Sequence, residues 1–321
     1  MRLARLITRG AEVFAEALPP GGGREAGFRI LEDGTMPAAA RRALGPTPAG
    51  GAVPGGSVPE TGEVELRAPC APPTYVAEME CNSLARLPEH HLGRGYPMLT
   101  LLPGTVVNHP GGVVRPPSWS TRVTVNAQFA FVCSRAVTRP EEATADAVLG
   151  YTLMISVADW SLVDGLTEPT VRDLSMNEDY GRWFDGYKPI GPWLITADEL
   201  PSVRQSDITV TVGDRRTVTR GADLLYEPLD ILVRLASHLP FAAGDIVGLG
   251  ATGADIEIRR SAAPSPVEMK ATCDQIGDLV CTIEFPGGPS RPGRPEGVPR
   301  AAAPGGGGPT IEQARPGPNR I

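Results

Sequence analysis

Chemistry in this sequence has its first foothold between Thr121 and Ser134. Val123, Val125, Ala127, Phe129 and Phe131 alternate there with Thr124, Asn126 and Gln128. A strand over this stretch sets Asn126 and Gln128, at i and i+2, on one face as hydrogen-bonding groups. Gly248-Leu-Gly250-Ala-Thr-Gly253 has the letters of a dinucleotide fingerprint and follows a strand-like run. Ala254 to Ile258 alternates like a second strand, however, so no helix N-terminus faces a pyrophosphate and a glycine-rich turn is predicted. His90 and His91 are adjacent, point in different directions and have no Glu-x-x-His to complete a metal set; they read as loop histidines. Cys70, Cys81, Cys133, Cys273 and Cys281 include no Cys-x-x-Cys pair. They read as reduced thiols of a cytoplasmic protein, with Cys133 filling a strand's core face. The sequence has no G-x-S-x-G, H-E-x-x-H, phosphate-binding loop or EF-hand loop.

The elements that must position such residues are mostly strands. Beside Thr121 to Ser134, strands are predicted at Tyr151 to Trp160, Asp245 to Leu249, Asp255 to Ile258 and Leu279 to Phe285. Ile208 to Val212 and Arg215 to Thr219 form a hairpin across Gly213-Asp214. Thr138-Arg-Pro-Glu141 has the form of a capping box and predicts a short helix ending at Gly150. Leu229, Leu232, Val233 and Ala236 give one apolar stripe to a helix from Pro228 to His238. The fold class is therefore mainly β with a few helices (α+β). Three regions follow from composition: residues 1–71, a small β segment with a Pro/Gly-rich linker; residues 72–285, the main domain; and residues 286–321, a tail in which 18 of 36 residues are Pro or Gly. Such a tail buries too little apolar surface to offset its ordering entropy, so disorder is expected there.

Charge and length exclude several classes. The 321 residues carry 30 Lys+Arg against 37 Asp+Glu, a net charge of -7, and only Lys188 and Lys270 are lysines. With no basic run, nucleic acid is not an expected partner. No apolar run approaches the roughly 18 residues of a membrane span, and the opening segment, split by Arg2 and Arg5, does not read as a signal peptide.

Several spaced motifs then carry a resemblance. Gly150-Tyr151-Thr152, Phe184-Asp185 followed by Pro189-Ile190-Gly191-Pro192-Trp193, Ala243-Gly244-Asp245-Ile246-Val247, and Gly277-Asp278 with Ile283-Glu284-Phe285 resemble, in order, the motifs of the fumarylacetoacetate hydrolase family. Met1-Arg-Leu-Ala-Arg5 is similar too. The resemblance implies an incomplete β-roll or barrel, usually a homodimer. It also implies a magnesium or manganese ion held by a Glu-x-Glu strand and an aspartate on the next strand. That ion holds an enolisable 2-oxo or 1,3-dicarbonyl acid.

This sequence departs from that pattern where the chemistry sits. The Glu-x-Glu positions hold Asn126 and Gln128, and Ser156 stands in the aspartate position. Arg182 replaces a lysine before Phe184-Asp185, Ala251 replaces a threonine, and Arg86 and Glu89 fall where lidded members carry a catalytic His and Glu. A hard divalent cation sheds water for anionic oxygens, and neutral amide and hydroxyl groups do not replace them, so no metal cofactor is expected. Asn126, Gln128, Ser156 and Arg182 remain as pocket candidates that orient a small molecule or stabilise an enolate. Tyr151 and Trp160 read as packing residues and Asp185 as a brace for its loop.

Two functions follow. One is a metal-independent enzyme that isomerises, cyclises, dehydrates or decarboxylates an enolisable 2-oxo-acid or 1,3-dicarbonyl, polyketide-like small molecule in specialised metabolism. The other is a non-catalytic binding or scaffold protein that keeps the fold. A magnesium- or manganese-dependent hydrolase requires other acids, Glu78, Glu80 or Asp159, to rebuild the site.

Overall fold

Two twelve-residue strands, Arg122–Cys133 and Val148–Asp159, run antiparallel through the centre of the molecule, from Val123 opposite Asp159 to Val132 opposite Gly150. The second is buried along its whole length, which is why it reads as a nearly unbroken apolar run. In the computed structural model the described residues are 1–18, 27–31, 36–44, 57–59, 64–70, 73, 75–85, 98–164, 171–260 and 266–287. Arg86, Glu89, His90, His91, much of the Pro/Gly-rich linker and the tail beyond residue 287 lie outside them.

The larger sheet continues on both sides of this pair. Lys188–Thr196 joins Val148–Asp159, and Arg2–Thr8 joins Lys188–Thr196 through Arg2 opposite Ile195 and Leu3 opposite Leu194. Ala11–Leu18 and Gly27–Ile30 extend that side. On the other side, Ile246–Gly248 pairs with Arg122–Cys133, Tyr75–Cys81 pairs in parallel with Ile246–Gly248, and Met98–Pro103 follows. A second sheet holds Arg215–Arg220, Asp207–Val212, Val267–Cys273, Gly277–Ile283 and Val113–Val114. Both sheets are open among the described residues. The largest core cluster includes Phe129, Phe131, Leu153 and Ile155 of the first sheet and Val210, Met269 and Leu279 of the second. Burying these side chains is the main driving force for folding.

Local chemistry corrects two helices. After Thr138 there is no α-helix but two single turns, Pro140–Glu142 and Ala145–Ala147. Thr138 is bonded by Glu142, four residues on, through both its N–H (2.8 Å) and its hydroxyl (3.0 Å). The chain then enters the strand at Val148, where Ser134 N–H donates to Ala147 O and begins the ladder. The helix Pro228–Leu235 exists, but its buried residues are Pro228, Ile231, Leu232 and Leu235, while Leu229 and Val233 are exposed. Pro228, at the first turn, is itself on the buried face. The helix Val171–Tyr180 and the strand Lys188–Thr196 were not among the predicted elements. Pro189, Gly191 and Pro192 hide the strand, because proline and glycine inside a run argue against one.

Candidate functional site

Five side chains from five segments meet beside the central strands. Glu78 comes from Tyr75–Cys81, Gln128 from Arg122–Cys133, Ser156 from Val148–Asp159, Lys188 heads Lys188–Thr196, and Arg182 follows the helix Val171–Tyr180. Glu78 is their hub. Gln128 Nε2 donates to Glu78 Oε1 at 2.6 Å, and the Ser156 hydroxyl donates to the same oxygen. The Lys188 ammonium lies 2.8 Å from Glu78 Oε2 and donates to Ser156 Oγ at 2.5 Å and to Val157 O at 3.3 Å. Arg182 Nε lies 3.7 Å from Glu78 Oε2, and its guanidinium also pairs with Glu178.

The glycine-rich turn serves this cluster. Gly250 N–H donates to Gln128 Oε1 at 2.5 Å, from a backbone at φ +79 that L side chains rarely adopt. A Cβ at Gly248 would sit 2.6 Å from Gln128 Oε1, so glycine there leaves room for the amide. Both polar ends of Gln128 are thus fixed, and the strand expected after the glycines is observed as Ile256–Arg259.

Lys188 is fully buried and Glu78 and Ser156 are nearly so. Burial alone would raise the Glu78 carboxyl, but the Lys188 and Arg182 charges outweigh it and hold the group well below the usual carboxylate range. Burial pushes the Lys188 ammonium down, and Glu78 opposes that shift. Glu78 therefore stays an anion at neutral pH, while the proton on Lys188 depends on that anion.

Of the predicted site residues, the structure brings Gln128, Ser156 and Arg182 together through Glu78. Asn126 does not join them: it is opposite Ser156 in the ladder, but its Nδ2 donates to Asp255 at 2.7 Å. Glu80 accepts from Thr100, and Asp159 accepts Ser161 N–H at 2.8 Å, so of the three alternative acids only Glu78 reaches the cluster. Sequence reasoning missed Lys188 as a site residue. Its signal was composition: one of two lysines heads an apolar strand. Tyr151 is buried in the core, as a packing residue should be, whereas Trp160 is half-buried and donates to Thr124 at 2.9 Å. Cys70, Cys133, Cys273 and Cys281 are buried free thiols, and burial raises each, Cys70 and Cys281 to about 12, so they are poor nucleophiles.

These residues do not fit a divalent metal. The carboxylate that Gln128 and Ser156 both contact is neutralised by an ammonium, and the other two donors are a neutral amide and a hydroxyl. Among the described residues no cluster of three or more His, Cys, Asp or Glu is placed to hold an ion. None of the helices there is long and apolar enough to cross a membrane.

A family model, fumarylacetoacetate hydrolase C-terminal, matches residues 74–284. A Burkholderia lata protein with a hydrolase name and no stated substrate is 26% identical over 159 residues, 48% of this chain and 52% of its own. A Burkholderia multivorans protein, also named a hydrolase, is 29% identical over 135 residues, 41% of this chain and 43% of its own. The chain spans about half the length of these curated relatives. Among solved structures, 2-hydroxyhepta-2,4-diene-1,7-dioate isomerase from Mycobacterium marinum superposes with a TM-score of 0.67 at 18% identity, over 90% of this chain and 100% of the isomerase. Maleylpyruvate hydrolase from Sphingobium sp. SYK-6, bound to manganese (II) and pyruvate, gives 0.62 at 17% identity, over 89% of this chain and 99% of that one. These structures share the fold.

Proposed function

The chain belongs to the fumarylacetoacetate hydrolase family, and from that premise we propose that it is an enzyme acting, without a bound metal, on an enolisable 2-oxo acid or 1,3-dicarbonyl compound. Isomerisation, cyclisation, dehydration and decarboxylation of such a compound all pass through enolate-like charge, which a fixed cation can stabilise. The observation that carries the reading is Arg182. Its guanidinium is largely buried beside Glu78, yet Nε has no hydrogen-bond acceptor among the described residues. A buried guanidinium donor without an acceptor is costly, and a substrate carboxylate or enolate oxygen would satisfy it. Gln128 and Ser156 have their polar groups committed to Glu78, Lys188 and Gly250, so they act as positioning residues.

Proton exchange in D2O, followed by ¹H NMR on chelator-treated protein with a panel of 2-oxo acids and 1,3-dicarbonyl acids, tests this. Exchange of an α-proton with one of them is expected. Arg182→Ala should slow it about a hundredfold and Gln128→Ala about tenfold. Unchanged rates in both variants would refute these roles.

A second reading, a binding or scaffold protein, draws on one observation: the Lys188 ammonium is fully buried and its contacts are all internal. A co-purifying small molecule recovered unaltered after incubation, with no exchange in the panel, would favour it.

A further inference from the structure

We propose that Lys188 supplies, as part of the chain, the positive charge that a divalent ion supplies in the manganese-bound neighbour, and that its ammonium blocks ion binding at this site. This rests on family membership and not on turnover, so it holds for enzyme and scaffold alike.

Geometry places the ammonium among the residues that the resemblance aligns with the metal ligands. By the motif order of the family resemblance Ser156 stands at the aspartate position, and its hydroxyl is 2.5 Å from Lys188 Nζ. Gln128, at a glutamate position by the same resemblance, reaches the same ammonium through a shared carboxylate, Glu78, whose two oxygens take the amide at 2.6 Å and the ammonium at 2.8 Å. A backbone acceptor, Val157 O, completes three oxygen contacts around the nitrogen. An ammonium has three donors and no acceptor capacity, so three oxygens satisfy it.

Charge explains why the substitutions belong together. Three carboxylates beside a doubly charged ion form a compensated group; three neutral residues beside one would not. Here two carboxylates, Glu78 and Glu178, face two cations, with Arg182 paired to Glu178 and Lys188 the nearer cation to Glu78. A divalent ion here would add two more positive charges beside the Lys188 ammonium and the Arg182 guanidinium, already 2.8 Å and 3.7 Å from Glu78 Oε2, and like charges a few ångströms apart repel strongly where water is excluded. Returning the carboxylates while keeping Lys188 would thus still leave the ion's place filled.

The test uses the full chain in two variants. One is Asn126→Glu/Gln128→Glu/Ser156→Asp; the other adds Lys188→Ala. Manganese affinity is read by electron paramagnetic resonance of the free ion, with circular dichroism as the folding control. The variant lacking Lys188 should bind manganese at least a hundredfold more tightly than the one that keeps it. Equal binding by the two, or no binding by a folded variant lacking Lys188, would overturn the proposal. Should either variant fail to fold, the wild type still decides, because it has two lysines. With ¹⁵N-lysine labelling and Lys270→Arg for assignment, the Lys188 ammonium signal should keep its intensity at stoichiometric manganese. Selective paramagnetic broadening of that signal would place an ion beside Lys188 and overturn the proposal.

Discussion

Lys188→Met should lower the free energy of unfolding by about 3–5 kcal/mol, the cost of removing one partner from a buried ion pair. The loss comes less from the missing attraction than from Glu78, which would stay buried beside Gln128 and Ser156 with only Arg182, 3.7 Å away, to offset its charge. Adding Glu78→Gln to that variant should recover most of the loss, since a pair of neutral groups of similar size often substitutes for a buried ion pair without penalty. The comparison is a double-mutant cycle read by denaturant unfolding, with an expected coupling of about 3 kcal/mol. Losses that simply add would mean that the two groups do not stabilise each other. The pH dependence has a definite sign. Because the folded state holds the Glu78 carboxyl from 4.5 down to about 2, its contribution is present above pH 4.5 and is lost as pH falls towards 2.

Gly150→Ala is the other large expected effect. Gly150 lies on the buried strand Val148–Asp159 opposite Thr196, where a Cβ would sit 2.1 Å from Ile195 O and 2.9 Å from a Leu194 methyl. The nearest atom is a backbone oxygen of the neighbouring strand, so neither a rotamer change nor a side-chain shift relieves the clash. A loss of about 3 kcal/mol, the upper end for overpacking, is expected in thermal or denaturant unfolding. A variant as stable as the wild type would show that the two strands can separate locally at little cost.

This glycine illustrates what was legible from sequence. Gly150-Tyr151-Thr152 carried part of the resemblance, and its physical basis is the close approach of two central strands. Strict alternation made Thr121 to Ser134 readable, and the Gly213-Asp214 turn located its hairpin, observed as Asp207–Val212 and Arg215–Arg220. Failures came where a side chain's setting is decided by partners remote in sequence. A lysine reads as solvated, yet Lys188 is buried because Glu78, on a strand far along the sheet order, meets it. Asn126 and Gln128 share a face, but periodicity could not say that one turns to Asp255 and the other to Glu78. The Pro228 helix was legible as amphipathic, whereas its buried face, Pro228, Ile231, Leu232 and Leu235, is rotated from the stripe read in the sequence.

The central claim, a site whose cation is a side chain, is tested most directly by thermal unfolding of chelator-treated wild-type protein titrated with Mg²⁺ and Mn²⁺, with and without oxalate as an enolate mimic. A ligand bound by the native state raises the melting temperature by linkage, by an amount that grows with concentration over Kd. The expected result is no metal-dependent rise for either ion, with or without oxalate. A saturable rise that oxalate enhances would contradict the account and return the protein to metal-assisted chemistry.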